Sequence, residues 1–323
     1  MKKLLGSALA FVLAASVMTG CGSTSTSKKK VGIIQFMDHT SLNLIKSSFD
    51  KEMKTLGYDS SNISYTFKNG QGDTNTCASI ANEFSGENLD CVMAIATPAA
   101  QSVAKLATKT PVVFAAVSDP VGAGLTSSLT NPNKNITGTC DEIQVAQILD
   151  KALEVNPKLK TLGLIYNKGE ANSVANIKKA KTYCQSKGIK LVEATITSVN
   201  EAQSAINVLN SKCDAVFAPN DNTVASAMSV VGSACAKAGV PLYVGADSMV
   251  KDGGFLSVGI DYANLGKETA VMVDKVLKGT DVKKLPVKVF KTNLKIYVNK
   301  SVLNKLKITL PANIKNDKKY TEM

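Results

Sequence analysis

Two residue types are missing from this chain of 323 residues. It contains no tryptophan and no arginine, so lysine supplies all 38 of its basic side chains. Arginine usually makes the bidentate contacts that read bases and clamp phosphates, and the lysines here are scattered along the chain. We therefore attribute the formal net charge of +12 to a solvated basic surface and predict no nucleic-acid partner.

The familiar motifs of catalysis and metal binding are missing as well. The sequence has no GxSxG elbow, no P-loop and no complete GxGxxG, since GAGLTS at residues 122–127 lacks the third glycine. The single histidine, His39, has no evident nucleophile partner, and no two cysteines have CxxC spacing. These absences predict a protein that is not an enzyme and that binds no metal or cofactor.

One long apolar run is present, at the N-terminus. Residues 4–18 follow Lys2 and Lys3 and lead to Cys21 in the sequence VMTGC. The run is too short for a permanent membrane span and has the layout of an export signal. VMTGC resembles the lipobox of bacterial lipoproteins, in which the cysteine is lipidated, although a plain secretory signal is an alternative. We predict a signal peptide at 1–21, a flexible tether at 22–30, and attachment to the outer face of the cell membrane through lipid alone.

Six cysteines remain after Cys21, and their pairing is open from the sequence. Disulfides are possible in an exported protein. However, Cys91 and Cys213 begin apolar runs, and Cys184 and Cys235 lie in helical patterns. Small buried apolar residues are an equally good interpretation, so we assign no bridge.

Strand and helix patterns alternate twice in the same order. The stretch CVMAIATPAAQSVAKLA at 91–107 predicts a buried strand, then Thr97 as an N-cap and Pro98 as the first helical residue. The stretch CDAVFAPNDNTVASAM at 213–228 aligns with it. This repeat predicts an α/β fold of two doubly wound lobes with parallel sheets.

The C-terminal part predicts one further helix and two strands. Residues 255–262 and 287–299 have strand patterns, and residues 265–277 have a helical pattern. We expect the helix to complete the first lobe and the second strand to complete the second lobe. The predicted domains are an N-terminal lobe at 31–140 plus 260–286, a C-terminal lobe at 141–259 plus 287–312, and a frayed tail at 313–323.

The two lobes predict a ligand site between them. In open α/β sheets, ligands bind beyond the carboxyl ends of the strands, and we expect these ends to face one cleft. The candidates on the first lobe are Gln35, Phe36, Asp38, His39, Thr97, Ala99, Ala100, Gln101, Ser118 and Asp119, and those on the second are Tyr166, Asn167, Glu170, Asn220, Asp221, Asn222, Asp247 and Ser248.

The two sides of this cleft differ in charge. Without arginine, an anionic group must be held by backbone N–H groups, hydroxyls or lysine, and the helix start at Thr97 with Ser118 suits a carboxylate. Asp221 and Asp247 suit a cation, although both aspartates are also suited to capping the helices that follow them. An anion site facing a cation site predicts a zwitterionic ligand, namely an amino acid.

Aromatic residues at matching strand ends suggest the nature of its side chain. Phe36 and Tyr166 are predicted to sandwich an apolar or aromatic group. Alternatives are that Phe36 belongs to the core of its lobe and that His39 is an ordinary loop residue.

Five segments resemble a known family: ATPAAQ (96–101), PVVFAAVSDPVGAGL (111–125), NPNKNITGT (131–139), PNDNTVASAM (219–228) and VGADSMVKDGGFLSVGIDYANLG (244–266). From residue 31 to about 311 the chain resembles solute-binding lipoproteins of bacterial ABC importers, in the branch associated with tryptophan and tyrosine uptake. The resemblance implies the type I periplasmic-binding fold with three hinge crossovers. It also implies carboxylate recognition at Thr97, Ala99 and Gln101 and amine recognition by Asp247.

The predicted function is therefore solute binding for an ABC importer. We expect a monomer that closes on an aromatic amino acid, tyrosine before tryptophan or phenylalanine, and delivers it to the permease and ATPase subunits. One alternative is a surface-interaction protein or adhesin with a secondary ligand pocket. Another is a binding protein for a different solute such as a sugar, although sugar sites usually stack rings on tryptophan.

Overall fold

The computed structural model describes residues 28–292 and 294–323, which form two sheets covered by helices. The strands are β1 (Lys29–Gln35), β2 (Ile63–Asn69), β3 (Cys91–Ile95), β4 (Val112–Ala115), β5 (Ile136–Cys140), β6 (Thr161–Asn167), β7 (Lys190–Ile196), β8 (Ala215–Ala218), β9 (Leu242–Val244), β10 (Leu256–Gly259), β11 (Lys288–Val289), β12 (Lys295–Val298) and β13 (Tyr320–Glu322). The α-helices are α1 (Thr40–Thr55), α2 (Thr74–Ser85), α3 (Thr97–Val103), α4 (Val145–Val155), α5 (Ala171–Lys187), α6 (Ala202–Asn210), α7 (Asn222–Ser226), α8 (Met228–Ala238), α9 (Asp247–Lys251), α10 (Tyr262–Leu277), α11 (Lys300–Leu306) and α12 (Ala312–Lys315).

The two sheets repeat one topology. The first has the order β2-β1-β3-β4-β5 with β11 beyond β5, and the second has β7-β6-β8-β9-β10 followed by β12 and β13. Counted within each lobe, the five shared strands follow the doubly wound order 2-1-3-4-5. Their pairings are parallel, and β12 is antiparallel to β10. The prediction of two doubly wound α/β lobes is confirmed.

Burial separates central strands from edge strands. Every residue of β3, β4, β8 and β9 is buried, as expected for parallel strands covered on both faces. The edge strands β2 and β7 instead mix buried and exposed residues. Continuous apolar runs therefore mark the middle of each sheet, where the ligand-facing strand ends also lie.

Helix α10 returns to the first lobe and packs on α1. Gly266 permits this contact, because a Cβ atom there would lie 2.4 Å from the carbonyl oxygen of Ile45. The predicted helix over 265–277 thus lies in the expected lobe. It begins three residues earlier than predicted, at Tyr262.

The predicted single strand over 287–299 is wrong. Its first part, β11, pairs with β5 in the first sheet, and its second part, β12, pairs with β10 in the second. The chain therefore crosses between the lobes inside this run, which its alternating pattern does not reveal. The tail also differs from the prediction, since β13 pairs with β12 instead of fraying. The remaining lobe boundaries stay a prediction.

Strand β5 was missed because its side chains are partly polar. Thr137 and Thr139 are buried, and their hydroxyls are satisfied far along the chain. Thr137 Oγ1 donates to the carbonyl oxygen of Leu285 at 2.7 Å, and the hydroxyls of Thr139 and Thr269 are 2.9 Å apart. Partners so distant in sequence leave no local signal.

Within the described ranges, no helix is both long and apolar enough to cross a membrane. The predicted signal peptide and Cys21 lie outside the described residues. Cys77, Cys91, Cys140, Cys184, Cys213 and Cys235 are all buried and unpaired.

Candidate ligand-binding site

A cavity lies between the two lobes, at the carboxyl ends of their parallel strands. It contains about 330 Å³ of space that no protein atom occupies, part of it open to solvent. Its lining residues are His39, Ser41, Leu42, Ala96, Thr97, Ala116, Asp141, Asn172, Asn220, Asn222, Ala225, Ala246, Met249 and Tyr262.

Two strained alanines form part of the first-lobe wall. Ala96 follows β3 with a φ of 80°, and Ala116 follows β4 with a φ of 54°. A non-glycine residue with a positive φ of this kind destabilises the backbone by on the order of 1–3 kcal/mol. Alanine has the smallest side chain of the non-glycine residues. Both residues turn the chain sharply at a strand end and line the cavity.

The turn after β3 leaves a hydroxyl unused. Helix α3 begins at Thr97, so Ala96 takes the N-cap position and makes no side-chain hydrogen bond. The predictions that Thr97 is the N-cap and that Pro98 is the first helical residue are therefore wrong by one position. Thr97 Oγ1 is inaccessible to solvent and has no hydrogen-bond partner in the described structure. This hydroxyl is available to a ligand.

Asp141 is the carboxylate of the cavity. It directly follows β5 and is 3% exposed. Its Oδ1 accepts a hydrogen bond from Ser118 Oγ at 2.9 Å, and its Oδ2 accepts from Asn220 Nδ2 and Tyr262 OH, each at 2.7 Å. Burial raises the pKa of Asp141, and the three donors oppose that effect. Three donors on a desolvated carboxylate hold an acceptor in a fixed place on the wall.

A chain of hydrogen bonds orients the His39 ring. Glu170 Oε2 accepts from the backbone N–H of Asn222 at 3.0 Å and from its Nδ2 at 2.5 Å. The Asn222 amide therefore turns its Oδ1 toward His39 Nε2, which lies 3.1 Å away. Since Oδ1 can only accept, Nε2 carries the hydrogen of the neutral ring. Burial lowers the pKa of His39, which favours that neutral form.

Three polar atoms on the cavity wall have no partner among the described residues. They are His39 Nδ1, Thr97 Oγ1 and Asn172 Oδ1, and all three are inaccessible to solvent. Asn172 uses its Nδ2 to donate to the carbonyl oxygen of Asn220 at 3.1 Å, which leaves Oδ1 free to accept. Buried polar atoms are usually paired, so three unpartnered atoms on residues that line one cavity mark it as a candidate binding site.

Two further hydrogen bonds join the lobes beside the cavity. Asn220 Nδ2 donates to Ser118 Oγ at 2.7 Å, and the hydroxyls of Ser41 and Ser248 are in contact. Together with the bond between His39 and Asn222, these contacts bring the lobes together over the cavity. The structure is a closed form.

Four of the predicted cleft residues line the cavity: His39, Thr97, Asn220 and Asn222. Ser118 does not line the cavity, but its hydroxyl donates a hydrogen bond to Asp141, which does. Gln101 and Asp119 lie on a neighbouring groove outside the cavity, which shares Thr97 and Asn172 with it. Gln101 donates to the carbonyl oxygen of Ala123 at 3.2 Å, and Asp119 Oδ1 accepts from the backbone of Gly122 at 2.8 Å.

The predicted aromatic sandwich is wrong. Phe36 is 3% exposed and Tyr166 is 8% exposed, and each packs in a different hydrophobic cluster. Tyr166 also donates its hydroxyl to Glu193 Oε2 on β7 at 2.9 Å. Neither ring lines the cavity, because each points into the packing around its own sheet.

Other predicted residues are buried in the core or hydrogen-bonded to other protein groups. Ala99 and Ala100 are fully buried in the hydrophobic core. Gln35 Nε2 donates to Asn43 Oδ1 at 2.6 Å and to the carbonyl oxygen of Met37 at 2.9 Å. Asn167 donates to Thr223 Oγ1 at 2.9 Å. None of these four predicted residues lines the cavity.

Asp221 has a structural role. It is the N-cap of α7, where Oδ1 accepts from the backbone of Val224 at 2.8 Å. Its Oδ2 accepts from the backbone of Asn167 and from Ser173 Oγ, both at 2.6 Å. Burial and the nearby Glu170 raise the pKa of Asp221 to about 7. Asp221 is fully buried and does not line the cavity, so it is not placed to contact a ligand.

Asp247 lies beside the cavity but not on its wall. It is the first residue of α9, and its Oδ1 accepts from the backbone of Ser248 at 2.7 Å. Burial raises its pKa to about 6. The neighbouring residues Ala246 and Met249 line the cavity, whereas Asp247 does not. The geometry does not support the expected amine contact.

Asp141 and Tyr262 are the important residues that the sequence interpretation missed. Both follow strands at crossovers between the lobes, after β5 and β10. The strand-end rule applies to them, but β5 was not recognised and Tyr262 was assigned to the preceding strand. Ser41, Leu42, Asn172 and Met249 are in the first turns of helices, where no sequence signal separates them from ordinary helix residues.

Comparisons with known proteins identify the family. Residues 30–320 match the family model described as ABC transporter substrate binding protein. The chain is also 33% identical over 319 residues to a tyrosine-binding protein of Clostridioides difficile, a match that covers 94% of this chain and 92% of the relative.

The chain belongs to the ABC transporter substrate-binding protein family. Its fold is the type I periplasmic-binding fold, as the resemblance implied. Members of this family are extracytoplasmic and bind small solutes for a transporter.

Two solved structures of substrate-binding relatives show which form this chain adopts. An ABC domain from Streptococcus pneumonia in complex with L-Trp is 34% identical, covers 92% of this chain and 100% of its own, and has a TM-score of 0.87. A ligand-free, open substrate-binding protein with adhesive properties from Clostridium difficile is also 34% identical, covers 91% and 99%, and has a TM-score of 0.68. At equal identity, the arrangement of this chain is closer to the ligand-bound structure.

Proposed function

We propose that this protein is the lipid-anchored solute-binding component of an ABC importer, and that it closes on an aromatic amino acid and delivers it to the permease. Hinge closure between the lobes is its mechanism, and it performs no chemistry. The observation that carries the proposal is the buried carboxylate of Asp141 in a closed cavity with unpartnered polar atoms. Tyrosine and tryptophan are the favoured ligands, since a 33% identical relative is tyrosine-binding and a solved relative holds L-Trp.

The ammonium group of the ligand is assigned to Asp141 and Asn172. Both residues contact Asn220, Asp141 through Asn220 Nδ2 and Asn172 through the Asn220 carbonyl oxygen. They therefore lie on the same part of the wall. The carboxylate and the free Oδ1 of Asn172 are both acceptors, and an ammonium group supplies three donors. This assignment replaces the expected role of Asp247.

The carboxylate of the ligand is assigned to the Thr97 hydroxyl. This hydroxyl is a free donor on the wall, and Thr97 shares the neighbouring groove with Asn172. Because the chain has no arginine, a hydroxyl and nearby backbone N–H groups are the available donors for an anion. Ala99 and Gln101, which the resemblance also implied, have no side chain on the cavity wall.

The side chain of the ligand is assigned to the apolar part of the cavity. Leu42, Met249, Ala225 and Ala246 supply this surface, and Tyr262 adds an aromatic ring. An aromatic side chain packs favourably against aliphatic, thioether and aromatic groups.

Ligand-dependent stability tests the proposal. The mature protein is unfolded in denaturant to release any bound ligand, refolded, and screened for thermal stability against all amino acids and common sugars. A ligand at about a hundred times its dissociation constant adds roughly 2.7 kcal/mol of stability. We expect the largest shift with tyrosine or tryptophan. No shift with any aromatic amino acid contradicts the proposal, and a shift with a sugar supports the other solute class instead.

Adhesion is a second candidate function. A substrate-binding relative that is 34% identical is described as having adhesive properties. Adhesion is tested by binding of the fluorescently labelled protein to host epithelial cells, with and without saturating tyrosine. Saturable binding that tyrosine does not change supports a separate adhesive surface, and no saturable binding contradicts it.

A further inference from the structure

His39 lines the cavity, and one nitrogen of its ring has no hydrogen-bond partner among the described residues. Nε2 is occupied by Asn222, while Nδ1 is inaccessible to solvent and has no partner in the described structure. The hydroxyl of Ser41, two residues along the chain, is engaged with Ser248 across the cleft. An atom in this position is left for the ligand.

The hydrogen-bond network determines the chemical character of Nδ1. Glu170 meets backbone N–H donors at both of its oxygens, from Asn222 and Thr223, each at 3.0 Å. It therefore acts as an acceptor and holds the Asn222 amide with its nitrogen inward and its oxygen toward His39. The neutral ring then has its hydrogen on Nε2, and Nδ1 presents a lone pair. The ligand atom that contacts Nδ1 must be a donor.

The position of His39 selects which part of the ligand this donor belongs to. His39 follows β1 and Asp141 follows β5, with β3 and β4 between them in the sheet. Three strand spacings of about 4.8 Å place these strand axes roughly 14 Å apart, further than one ammonium group reaches. With the ammonium at Asp141, His39 is at the other end of the ligand. Leu42 lies beside it on the wall, as suits an aromatic side chain.

We infer that His39 is a specificity-determining residue, whose Nδ1 accepts a hydrogen bond from the phenol O–H of tyrosine or the indole N–H of tryptophan. Phenylalanine has no such donor and leaves the buried nitrogen unpaired. A site built to bond a hydroxyl or N–H rejects the analogue that lacks it. This inference rests on the proposed function and adds to it the basis for discrimination among aromatic amino acids.

Two substitutions separate the ligand contact from the contact with Asn222. His39→Gln places an amide nitrogen near the position of Nε2, so it keeps the donor to Asn222 but removes the acceptor at Nδ1. His39→Asn does the opposite, since its shorter amide reaches only the position of Nδ1. Dissociation constants for tyrosine, tryptophan and phenylalanine are measured by calorimetry on the refolded, ligand-free mature protein and on both variants.

We expect the wild type to bind phenylalanine about 10-fold or more weakly than the better of tyrosine and tryptophan. His39→Gln should bring that ratio close to one, chiefly by weakening the preferred ligand. His39→Asn should keep the ratio while weakening all three ligands by a similar factor. These results support the inference.

Other outcomes contradict it in distinguishable ways. If the wild type binds all three ligands equally, or if His39→Gln leaves the ratio unchanged, the inference is wrong and the proposed function stands. If the wild type binds none of the three, the proposed function is wrong and the inference falls with it.

Discussion

The turn after β3 and the turn after β8 occupy the same place in the two lobes but have opposite uses. After β8, Asp221 caps α7, and its carboxylate accepts three hydrogen bonds from protein donors. After β3, Ala96 has a strained backbone with a φ of 80°, and the Thr97 hydroxyl is unpartnered. In the second-lobe turn, the Asp221 carboxylate is hydrogen-bonded by the protein itself. In the first-lobe turn, the Thr97 hydroxyl has no protein partner and can bind a ligand.

This difference shows what identifies a binding residue in a repeated fold. Both turns lie at the carboxyl ends of central strands, so their position alone predicts a ligand contact equally for both. Asp221 and Asp141 each accept from three protein donors, but only Asp141 lines the cavity. The Thr97 hydroxyl differs from both, because it has no protein partner. A carboxylate at a strand end is as readily a cap as a ligand contact.

The largest expected effect is the loss of stability on removing the cap. Asp221→Ala leaves the backbone N–H groups of Asn167 and Val224 and the hydroxyl of Ser173 without their acceptor. We expect a loss of about 3 kcal/mol in the free energy of unfolding, measured by urea denaturation without ligand. A loss below about 1 kcal/mol would contradict the structural role assigned to Asp221, and the two turns would then not differ as described.

The next effect is on affinity. Asp141→Asn removes the charge that the ammonium group faces, while the amide oxygen still accepts from Asn220 and Tyr262. We expect about 100-fold weaker binding of tyrosine by calorimetry, since truncating a desolvated charge pair costs about 2–5 kcal/mol. The control is Asp247→Asn, the same change on a buried aspartate outside the cavity, which should bind normally. The reverse result would return the ammonium site to Asp247.

A smaller effect is expected at the first-lobe turn itself. Thr97→Val removes a hydroxyl that has no protein partner, so stability should change by less than about 0.5 kcal/mol. Affinity for tyrosine should fall about 10-fold. Thr139→Val is the matched control, because its hydroxyl is paired with Thr269 in the core. It should cost about 1 kcal/mol of stability and leave affinity unchanged, and equal effects of both variants on affinity would contradict the assignment.

The smallest effect is a dependence of affinity on pH. Burial raises the pKa of Asp141 in the ligand-free protein, and a bound ammonium group would lower it by favouring the charged form. Affinity should therefore be complete above the ligand-free pKa and fall as the pH decreases through it, by at most tenfold per pH unit for one proton, or about 1.4 kcal/mol. Asp141→Asn should flatten this slope. An unchanged slope would show that another group, such as His39, controls it.

The architecture was largely predictable because central parallel strands are continuous apolar runs. β3 and β8 stand out in the sequence for this reason, and the shared order of elements revealed the repeat. The failures have local causes. β5 carries buried threonines whose partners are over a hundred residues away, and β11 has two residues, too few for a periodic pattern.

The site was predictable in place but not in detail. The strand-end rule located the cleft and named His39, Thr97, Asn220 and Asn222. It could not tell which way Phe36 and Tyr166 point, since that depends on the packing of each lobe. Nor could it find the bond between Tyr262 and Asp141, which joins residues 121 positions apart. Such pairs exist only after the chain has crossed between the lobes.

A crystal structure of the mature protein with bound L-tyrosine would show directly which residues hold the ammonium group. We expect the ligand in the cavity between the lobes, with its ammonium group within hydrogen-bond distance of Asp141 and Asn172 and its carboxylate at Thr97. An ammonium group bound to Asp247 or Asp221, or tyrosine bound outside this cavity, would contradict it.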